Sequence, residues 1–553
     1  MDLFLQDPPC LPSAWEGDRA LKDALRFYLG DHFAAAEVIL DELGRWATGP
    51  ETLRMVMRAE NEPATLMQYD AWGHRVDEVA VSDAYTELGK FGVEHGVVAL
   101  AYEPEPFGDL ARVVWAAAIY LWGPSSALYS CPIAMTDAAA RTLFEHGDAT
   151  DTEIAQRLIS RDPGFAWTSG QWMTETAGGS DVARTSTVAR LQGDEWRLYG
   201  TKWFTSATTS EMALTLARPE GAPDGSRGLG LFRVHRMLDD GTPNAILVRR
   251  LKDKLGTRSM PTAELELEGA LAHPVGDPLD GRGVAKISTM LNITRLHNAL
   301  ASAGALARGH AWASSFAESR EVFGRKLAAQ PAHRVTLAEL AVDKAAALAL
   351  SLRCAHLMGR MEHGSATAEE VALFRGLTPV TKLSTARWAV AGAAEAMEAL
   401  GGVGYCEDSG MPALVRNAHV LPIWEGTTNV LSLDLLRAAQ RSDSFTALLT
   451  DCERAAAVAA GTAGMEQPVA AVRASVDELK KRFEDAASDL DRLQATARSI
   501  AMGAATTYAC ALLCEQSTAL GTEGAPTAAA ARRLAERGLT GPAPFASDIP
   551  NDL

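Results

Sequence analysis

Glu195-Trp-Arg-Leu-Tyr199 runs directly into Gly200-Thr-Lys-Trp-Phe204-Thr205-Ser206, and the reading of this stretch decides the fold. Apolar and polar side chains alternate at a period of two, as they do in a half-buried strand. The same texture recurs in Ala213-Leu-Thr-Leu-Ala217, Gly230-Leu-Phe-Arg-Val234, Ala245-Ile-Leu-Val248 and Ala263-Glu-Leu-Glu-Leu267, with Gly, Asp and Pro between the runs. Residues 166–280 are therefore expected to form an antiparallel β domain. On its N-terminal side, 1–165 carries helical spacing, as in Asp83-Ala-Tyr-Thr-Glu-Leu-Gly-Lys-Phe91. On its C-terminal side, 281–440 returns to long helical patterns, interrupted at Pro331, at Pro379 and at Gly401-Gly402-Val-Gly404. Residues 441–553 form an Ala-rich helical extension with a Gly/Ala/Pro-rich end that is expected to fray. No internal repeat is present. Helix, sheet, helix is not a Rossmann order.

With 553 residues, and ~150 per domain as a rough guide, the chain holds about four units and is no small binding module. At 47% apolar and 22% charged it has a globular composition, which excludes collagen-like and disordered classes. The 52 basic against 70 acidic residues leave a net charge of -18, which disfavours non-specific attraction to nucleic acid or anionic lipid. Seven cysteines at irregular spacing, with no CxxC, read as reduced and mostly buried. Met1-Asp-Leu-Phe-Leu-Gln-Asp lacks the positive charge and apolar core of a leader, so a cytoplasmic location is expected. The uncharged run Val113–Met135 is long enough to span a bilayer. Gly123-Pro124-Ser125-Ser126 divides it, however, into what reads as a buried helix pair.

Three motifs carry chemistry. In Met173-Thr174-Glu-Thr-Ala-Gly-Gly179-Ser180-Asp181 the glycines let backbone N–H groups approach an anion, and Thr174 and Ser180 offer hydroxyls. Alone, the stretch also reads as an ordinary turn entering a strand. Gly200–Ser206 sets large aromatics beside small hydroxyls, which suits a planar heterocycle, or equally a core strand. Ile423-Trp-Glu425-Gly-Thr427-Thr-Asn429 places one carboxylate among apolar neighbours, where desolvation raises its pKa toward that of a general base; helix capping fits the spacing as well.

Taken in order, these motifs resemble the acyl-CoA dehydrogenase superfamily over residues 60–440. Lys254-Leu-Gly-Thr-Arg258-Ser-Met-Pro-Thr262, Gly281-Arg-Gly283, Arg320-Glu-Val-Phe323-Gly324 and Glu398-Ala-Leu-Gly-Gly402-Val-Gly404-Tyr405 agree with it. Tyr69-Asp-Ala-Trp-Gly-His-Arg75, Cys131-Pro-Ile-Ala-Met-Thr136, the Trp-Glu-Gly form of the glutamate motif and the long extension resemble its AidB-like, adaptive-response branch.

The resemblance implies an α+β fold: a helical N-terminal domain, a middle antiparallel β-barrel domain, a C-terminal four-helix bundle and a helical extension. It implies FAD held by Met173, Thr174, Gly179, Ser180, Phe204, Thr205, Ser206, Thr427 and Asn429. Arg320, Phe323, Gln330 and Gly402 would reach the FAD of a neighbouring subunit, which implies a homotetramer. Glu398 stands where many relatives carry Gln. Ser180 and Arg295 would support an acyl-CoA substrate of fatty acid metabolism, Glu425 would be the base, and an electron-transferring flavoprotein or similar acceptor would take the electrons. The Asn292-Ile-Thr-Arg295-Leu stretch, where some relatives place the base, has no acidic residue.

Other residues read as structure. His310, His333, His356 and His363 lack ligand spacing, so no metal is expected. Cys510 and Cys514, with Met290, Met358 and Met361, read as packing. The AidB-like resemblance also carries an association with DNA through a basic C-terminal domain. Residues 441–553 hold eleven basic and fifteen acidic side chains, and Lys480-Lys481-Arg482 is flanked by acids. The dehydrogenase reading therefore leads, with a DNA-associated flavoprotein of little turnover second and an oxygen-using acyl-CoA oxidase third.

Overall fold

A computed structural model of the chain describes residues 8–541. Met1–Asp7, on which the leader reading rests, and 542–553, the last part of the frayed-end reading, lie outside the described residues. The chain opens with α1 (Arg19–Leu29), α2 (Phe33–Ala47) and α3 (Pro50–Asn61), then the hairpin β1 (Thr65–Tyr69) and β2 (Arg75–Ala80). Helices α4 (Asp83–Glu94), α5 (Ala111–Trp122), α6 (Ser130–His146) and α7 (Ala149–Leu158) follow. Two of them start where the sequence supplies acceptors for orphan N–H groups: Ser82 caps α4, and Asp148 with Asp151 closes a capping box on α7. The uncharged run is two helices parted by a single 3-10 turn at Gly123–Ser125, and every residue of α5 is buried. Among the described residues no helix is long and apolar enough to cross a membrane.

The middle of the chain contributes β3 (Ser169–Trp172), β4 (Val188–Gln192), β5 (Glu195–Ser206), β6 (Met212–Pro219), β7 (Gly230–His235), β8 (Ile246–Leu251) and β9 (Thr262–Pro274). β6, β4, β5, β9 and β7 pair in turn, and β7 returns to β6, so the sheet closes on itself. The expected antiparallel pairing is correct for every contact but two: β3 and β4 both run parallel to β6. β3 faces Met212–Thr215 and β4 faces Arg218–Pro219, so the two are successive pieces of one edge, parted by the excursion Met173–Thr187. Trp172, Leu198, Phe232, Val234, Leu265 and Leu267 fill the interior.

Helix α8 (Gly283–Ser319) leads to a small hairpin, β10 (Glu321–Val322) and β11 (Arg325–Lys326). Then come α9 (Pro331–Glu362), α10 (Ala368–Ala399), α11 (Met411–Ala418) and α12 (Thr428–Arg441). Pro331 occupies the first turn of α9, where its missing N–H costs nothing. Pro379 does not interrupt the pattern as expected; α10 runs through it. A mid-helix proline costs about 3 kcal/mol. Each fully buried large apolar side chain recovers about 1.5–3 kcal/mol, and Leu373, Phe374, Leu377, Val380 and Leu383 are all buried on this helix.

Contacts divide the chain into two compact units. The first draws on the described parts of Met1–Gly49, Pro104–Pro124 and Asn298–Leu553; the second comprises Pro50–Glu103 and Ser125–His297. Within the first, Ala313 and Phe316 of α8 pack on Leu340, Ala396, Leu400 and Met411. The extension adds α13 (Ser444–Ala459), α14 (Glu466–Ala487), α15 (Leu490–Leu520) and α16 (Ala525–Glu536). Asp451 of α13 ties it to the bundle, accepting from Arg353 of α9 at 3.2 Å, from Arg454 at 2.6 Å and from the Tyr508 hydroxyl of α15. Arg454 also pairs with Glu515 at 2.5 Å. Removing one member of a buried ion pair costs about 3–5 kcal/mol. Asp451→Ala is therefore expected to lower the melting temperature and to open the extension to trypsin before the rest of the chain; an unchanged melting curve and cleavage pattern would count against this tie.

Candidate active site

The excursion Met173–Thr187 is held by a wholly buried ion pair. Glu175, 3% exposed, accepts from the Lys202 ammonium of β5, itself 0% exposed, at 2.9 Å. The same carboxylate accepts from the Ser186 N–H and hydroxyl, both at 2.6 Å, and from the Thr187 hydroxyl at 2.6 Å. Burial alone would raise this carboxyl; the Lys202 charge and the hydroxyl donors outweigh it and hold the pKa down at about 2. Lys202 also donates to the Leu216 carbonyl at 3.0 Å, so the pair joins the excursion to β5 and β6.

Strand β5 has a register shift between Lys202 and Thr205. Such a bulge sets an extra residue against β9 and re-aims side chains. It frees the Trp203 N–H, which donates to the Thr174 carbonyl at 2.9 Å, and it turns Phe204 outward, 54% exposed. Thr174 and Met173 are half-buried, and Gly179 and Ser180 are exposed on the excursion. A Cβ at Gly179 would run into the Thr174 hydroxyl, so the loop doubles back on itself only because no side chain is there. Ser206 is half-buried and lies 3.3 Å from Thr262 across the β5–β9 pair. Thr205 departs from its neighbours: it is fully buried and its hydroxyl donates to the Ala263 carbonyl at 2.8 Å, so only its backbone can face a ligand. The Lys252 ammonium lies 3.8 Å from the Trp203 ring centroid and 4.6 Å from that of Phe204, paired with Glu264 at 2.5 Å. Arg249 and Arg250 pair with Glu266 and Glu264, so this basic run is spent on β9.

The first unit carries the remaining candidates. Glu425 is half-buried in the turn between α11 and α12, at a backbone φ of 56°, followed by Gly426 at 106°. A non-glycine residue there stores about 1–3 kcal/mol of strain. The turn is pinned by buried groups: Lys382 of α10, 1% exposed, donates to the Gly426 carbonyl at 2.7 Å, and Asn298 of α8 donates to the Leu421 carbonyl at 3.2 Å. Thr427 stands at the N-cap position of α12 without a side-chain capping bond, and Asn429 lies exposed in the first turn, its Oδ1 3.5 Å from Arg498. Arg320 is half-buried at the end of α8, and Phe323 stands at the hairpin tip with φ 50° and 100% of its surface exposed. Gln330 braces that hairpin, donating to the Val322 carbonyl and accepting from Arg325, both at 2.9 Å. Gly402 lies exposed in a 3-10 turn with open space around it. Arg295, in the second unit, is half-buried on α8.

Comparison with known proteins meets this geometry along its length. Residues 281–440 match the acyl-CoA dehydrogenase C-terminal domain and 170–270 its middle domain. Residues 9–162 match the adaptive response protein AidB N-terminal domain, and 444–545 an acyl-CoA dehydrogenase 11 C-terminal domain-like model. Acyl-CoA dehydrogenase family member 11 of Caenorhabditis elegans is 40% identical over 536 residues, covering 93% of this chain and 86% of that protein. The chain belongs to the acyl-CoA dehydrogenase family. The putative acyl-CoA dehydrogenase AidB of Escherichia coli is 36% identical over 74% of this chain and 76% of its own length, in line with the AidB-like resemblance. The crystal structure of Caenorhabditis elegans ACDH-11 in complex with C11-CoA superposes with a TM-score of 0.93 at 38% identity, over 98% of this chain and 93% of that one. An acyl-CoA dehydrogenase from Bacillus anthracis complexed with FAD shares the fold at a TM-score of 0.71 and 17% identity.

Glu175, Lys202, Lys382 and Asn298 received no role from the sequence. The one signal was a charged residue inside each of two glycine- and aromatic-rich motifs. The Glu175 carboxylate contributes stability that is present above its unfolded pKa and lost as pH falls through about 2. Lys202→Met strands the carboxylate, and about 3–5 kcal/mol of stability goes with it. Its melting temperature is expected to recover partly as the pH is lowered and the stranded Glu175 takes up a proton; a variant as stable as the parent, or one that loses stability in acid as the parent does, contradicts this role.

Proposed function

We propose that the protein is an FAD-dependent acyl-CoA dehydrogenase, forming a 2,3-enoyl thioester from an acyl-CoA with Glu425 as the base. The reading rests above all on Glu425, a carboxylate held at a strained positive φ whose next carbonyl is pinned by the buried Lys382. Strain that the surroundings enforce at one acidic residue is a mark of pre-organisation. Family membership and the C11-CoA bound in the nematode relative support the substrate class.

The second unit's residues fit FAD. Phe204 offers an exposed ring face, the Thr174 and Ser206 hydroxyls offer donors on neighbouring segments, and the Gly179 fold-back brings the backbone of Ser180 to the surface for a phosphate. The resemblance adds Thr427 and Asn429 at the start of α12 and, from a second copy, Arg320, Phe323, Gln330 and Gly402. The homotetramer is what the resemblance implies, and the fully exposed Phe323 at a braced hairpin tip is open to a second copy.

When bound, FAD supplies the acceptor for the hydride that leaves the β-carbon. Glu425 takes the proton from the α-carbon; the bonding pair left behind becomes the second bond of the C=C, while the pair of the β-carbon's C–H bond departs with the hydride. In relatives the backbone N–H of this glutamate donates to charge that develops on the thioester oxygen, and the resemblance gives the Glu425 N–H that role. Ser180 and Arg295 support the CoA portion. The electrons leave to an electron-transferring flavoprotein or similar acceptor.

Anaerobic titration of the yellow protein with straight and branched acyl-CoAs should bleach the flavin band, and Glu425→Gln should keep FAD while slowing bleaching by at least the ~10²–10⁴-fold of a lost general base. Retained reduction in that variant removes Glu425 from the role. A parent whose flavin no acyl-CoA bleaches removes the dehydrogenase reading. Arg320→Ala is expected to lower flavin occupancy or the assembled mass, and no change in either argues against the shared site.

A further inference from the structure

Lys254 lies in the loop between β8 and β9, at the head of the stretch Lys254-Leu-Gly-Thr-Arg258. Its ammonium donates to the Met260 carbonyl at 2.6 Å and to the Thr262 hydroxyl at 3.0 Å. Thr262, 5% exposed, is the cross-strand partner of Ser206, and the two hydroxyl oxygens lie 3.3 Å apart. The three side chains form a chain that starts at a half-buried cation and ends at the half-buried hydroxyl placed beside FAD above.

The order of donors in that chain follows from chemistry. An ammonium has three donors and no acceptor, so Thr262 accepts from it. A hydroxyl oxygen already accepting from a cation is a stronger donor and a poorer second acceptor, because hydrogen bonds in series polarise one another. Thr262 then donates to Ser206, and the Ser206 proton is left for whatever lies outside. We propose that Lys254 is a positioning residue of the flavin site, whose charge, relayed through Thr262, fixes the Ser206 hydroxyl as a hydrogen-bond donor to the bound flavin. This inference rests on the reading of Ser206 as a flavin contact.

Charge on Lys254 is finely balanced. Burial pulls its pKa down to about 8, against the pull of Cys131 and Glu60 in the opposite direction. Glu60 comes from α3 and Cys131 from α6, and the buried Tyr85 of α4, with Tyr129 beside it, faces the same two groups. The unfolded lysine keeps its charge to higher pH than the folded one, so the chain is polarised below about 8 and loses its fixed direction above it.

The test uses the FAD-loaded protein and reads the visible flavin spectrum and the midpoint potential across pH. The parent is expected to show a step near pH 8, with the potential falling away faster above it. Thr262→Val keeps the shape and cuts the chain, so it should lose the step and lie at lower potential throughout. Thr262→Ser should restore both. Lys254→Met should match Thr262→Val, and Thr262→Val alone decides the matter where Lys254→Met fails to fold. A spectrum and potential unchanged in Thr262→Val, or a step that survives in it, overturns the relay while Ser206→Ala still perturbs the flavin. If Ser206→Ala leaves the flavin untouched, or no FAD is retained, the reading of the site fails and takes this inference with it.

Discussion

The Glu175–Lys202 pair is the constraint on which the second unit's site depends. Placing two charges in a closed barrel wall costs several kcal/mol per ion, and the cost is recovered only when the remaining lone pairs and protons are satisfied. Here they are: Ser186, Thr187 and the Leu216 carbonyl complete the shell. Because those partners sit at the far end of the excursion and on a neighbouring strand, the pair cannot form unless the excursion has closed. Thr174, Gly179 and Ser180 thereby inherit fixed positions from the buried pair behind them, much as a metal ligand inherits its orientation from the groups behind it.

Much of this was legible in the sequence, and the failures share a cause. The α-β-α order follows from the switch between periods of 3.6 and two, and Pro331 was a sound stop signal because a proline at a helix start is a local property. Pro379 misled because its cost is local while its compensation, the burial of Leu373 to Leu383, is tertiary. The splitting of one edge into β3 and β4 could not be read either, since both lie along β6, a strand reached only later in the chain. Thr205 was grouped with Phe204 and Ser206 by adjacency. Alternation along a strand sends it to the other face, and the bulge at Trp203 decides which face that is.

Backbone strain falls on several of the candidate segments. Among the described residues seven non-glycine positions have positive φ: Asp77, Ala127, Leu128, Ala207, Thr257, Phe323 and Glu425. Ala207 follows Ser206, Thr257 lies in the Lys254–Arg258 turn, and Phe323 and Glu425 are themselves candidates. Asp77, Ala127 and Leu128 lie outside the candidate segments. Each positive-φ residue costs about 1–3 kcal/mol of strain, which persists only where the surroundings impose it. Lys382 and Lys254 show how it is imposed: each is a cation withdrawn from water that donates to a backbone carbonyl in or beside a strained turn.

The extension follows the opposite rule. Its polar groups are consumed where they stand: Asp451 binds Arg353, Arg454 and Tyr508, Glu515 takes the rest of Arg454, and Lys480 and Arg482 pair with Glu453 and Glu478. A basic surface that captures phosphates needs cations whose charge is not already answered within the fold. In the densest basic run of this acidic segment two of the three cations, Lys480 and Arg482, are so answered, and Phe445 and Phe483, stacked at 5.0 Å between ring centroids, bring α13 and α14 together. The physics of the extension is that of packed helices in which charge is used to join elements.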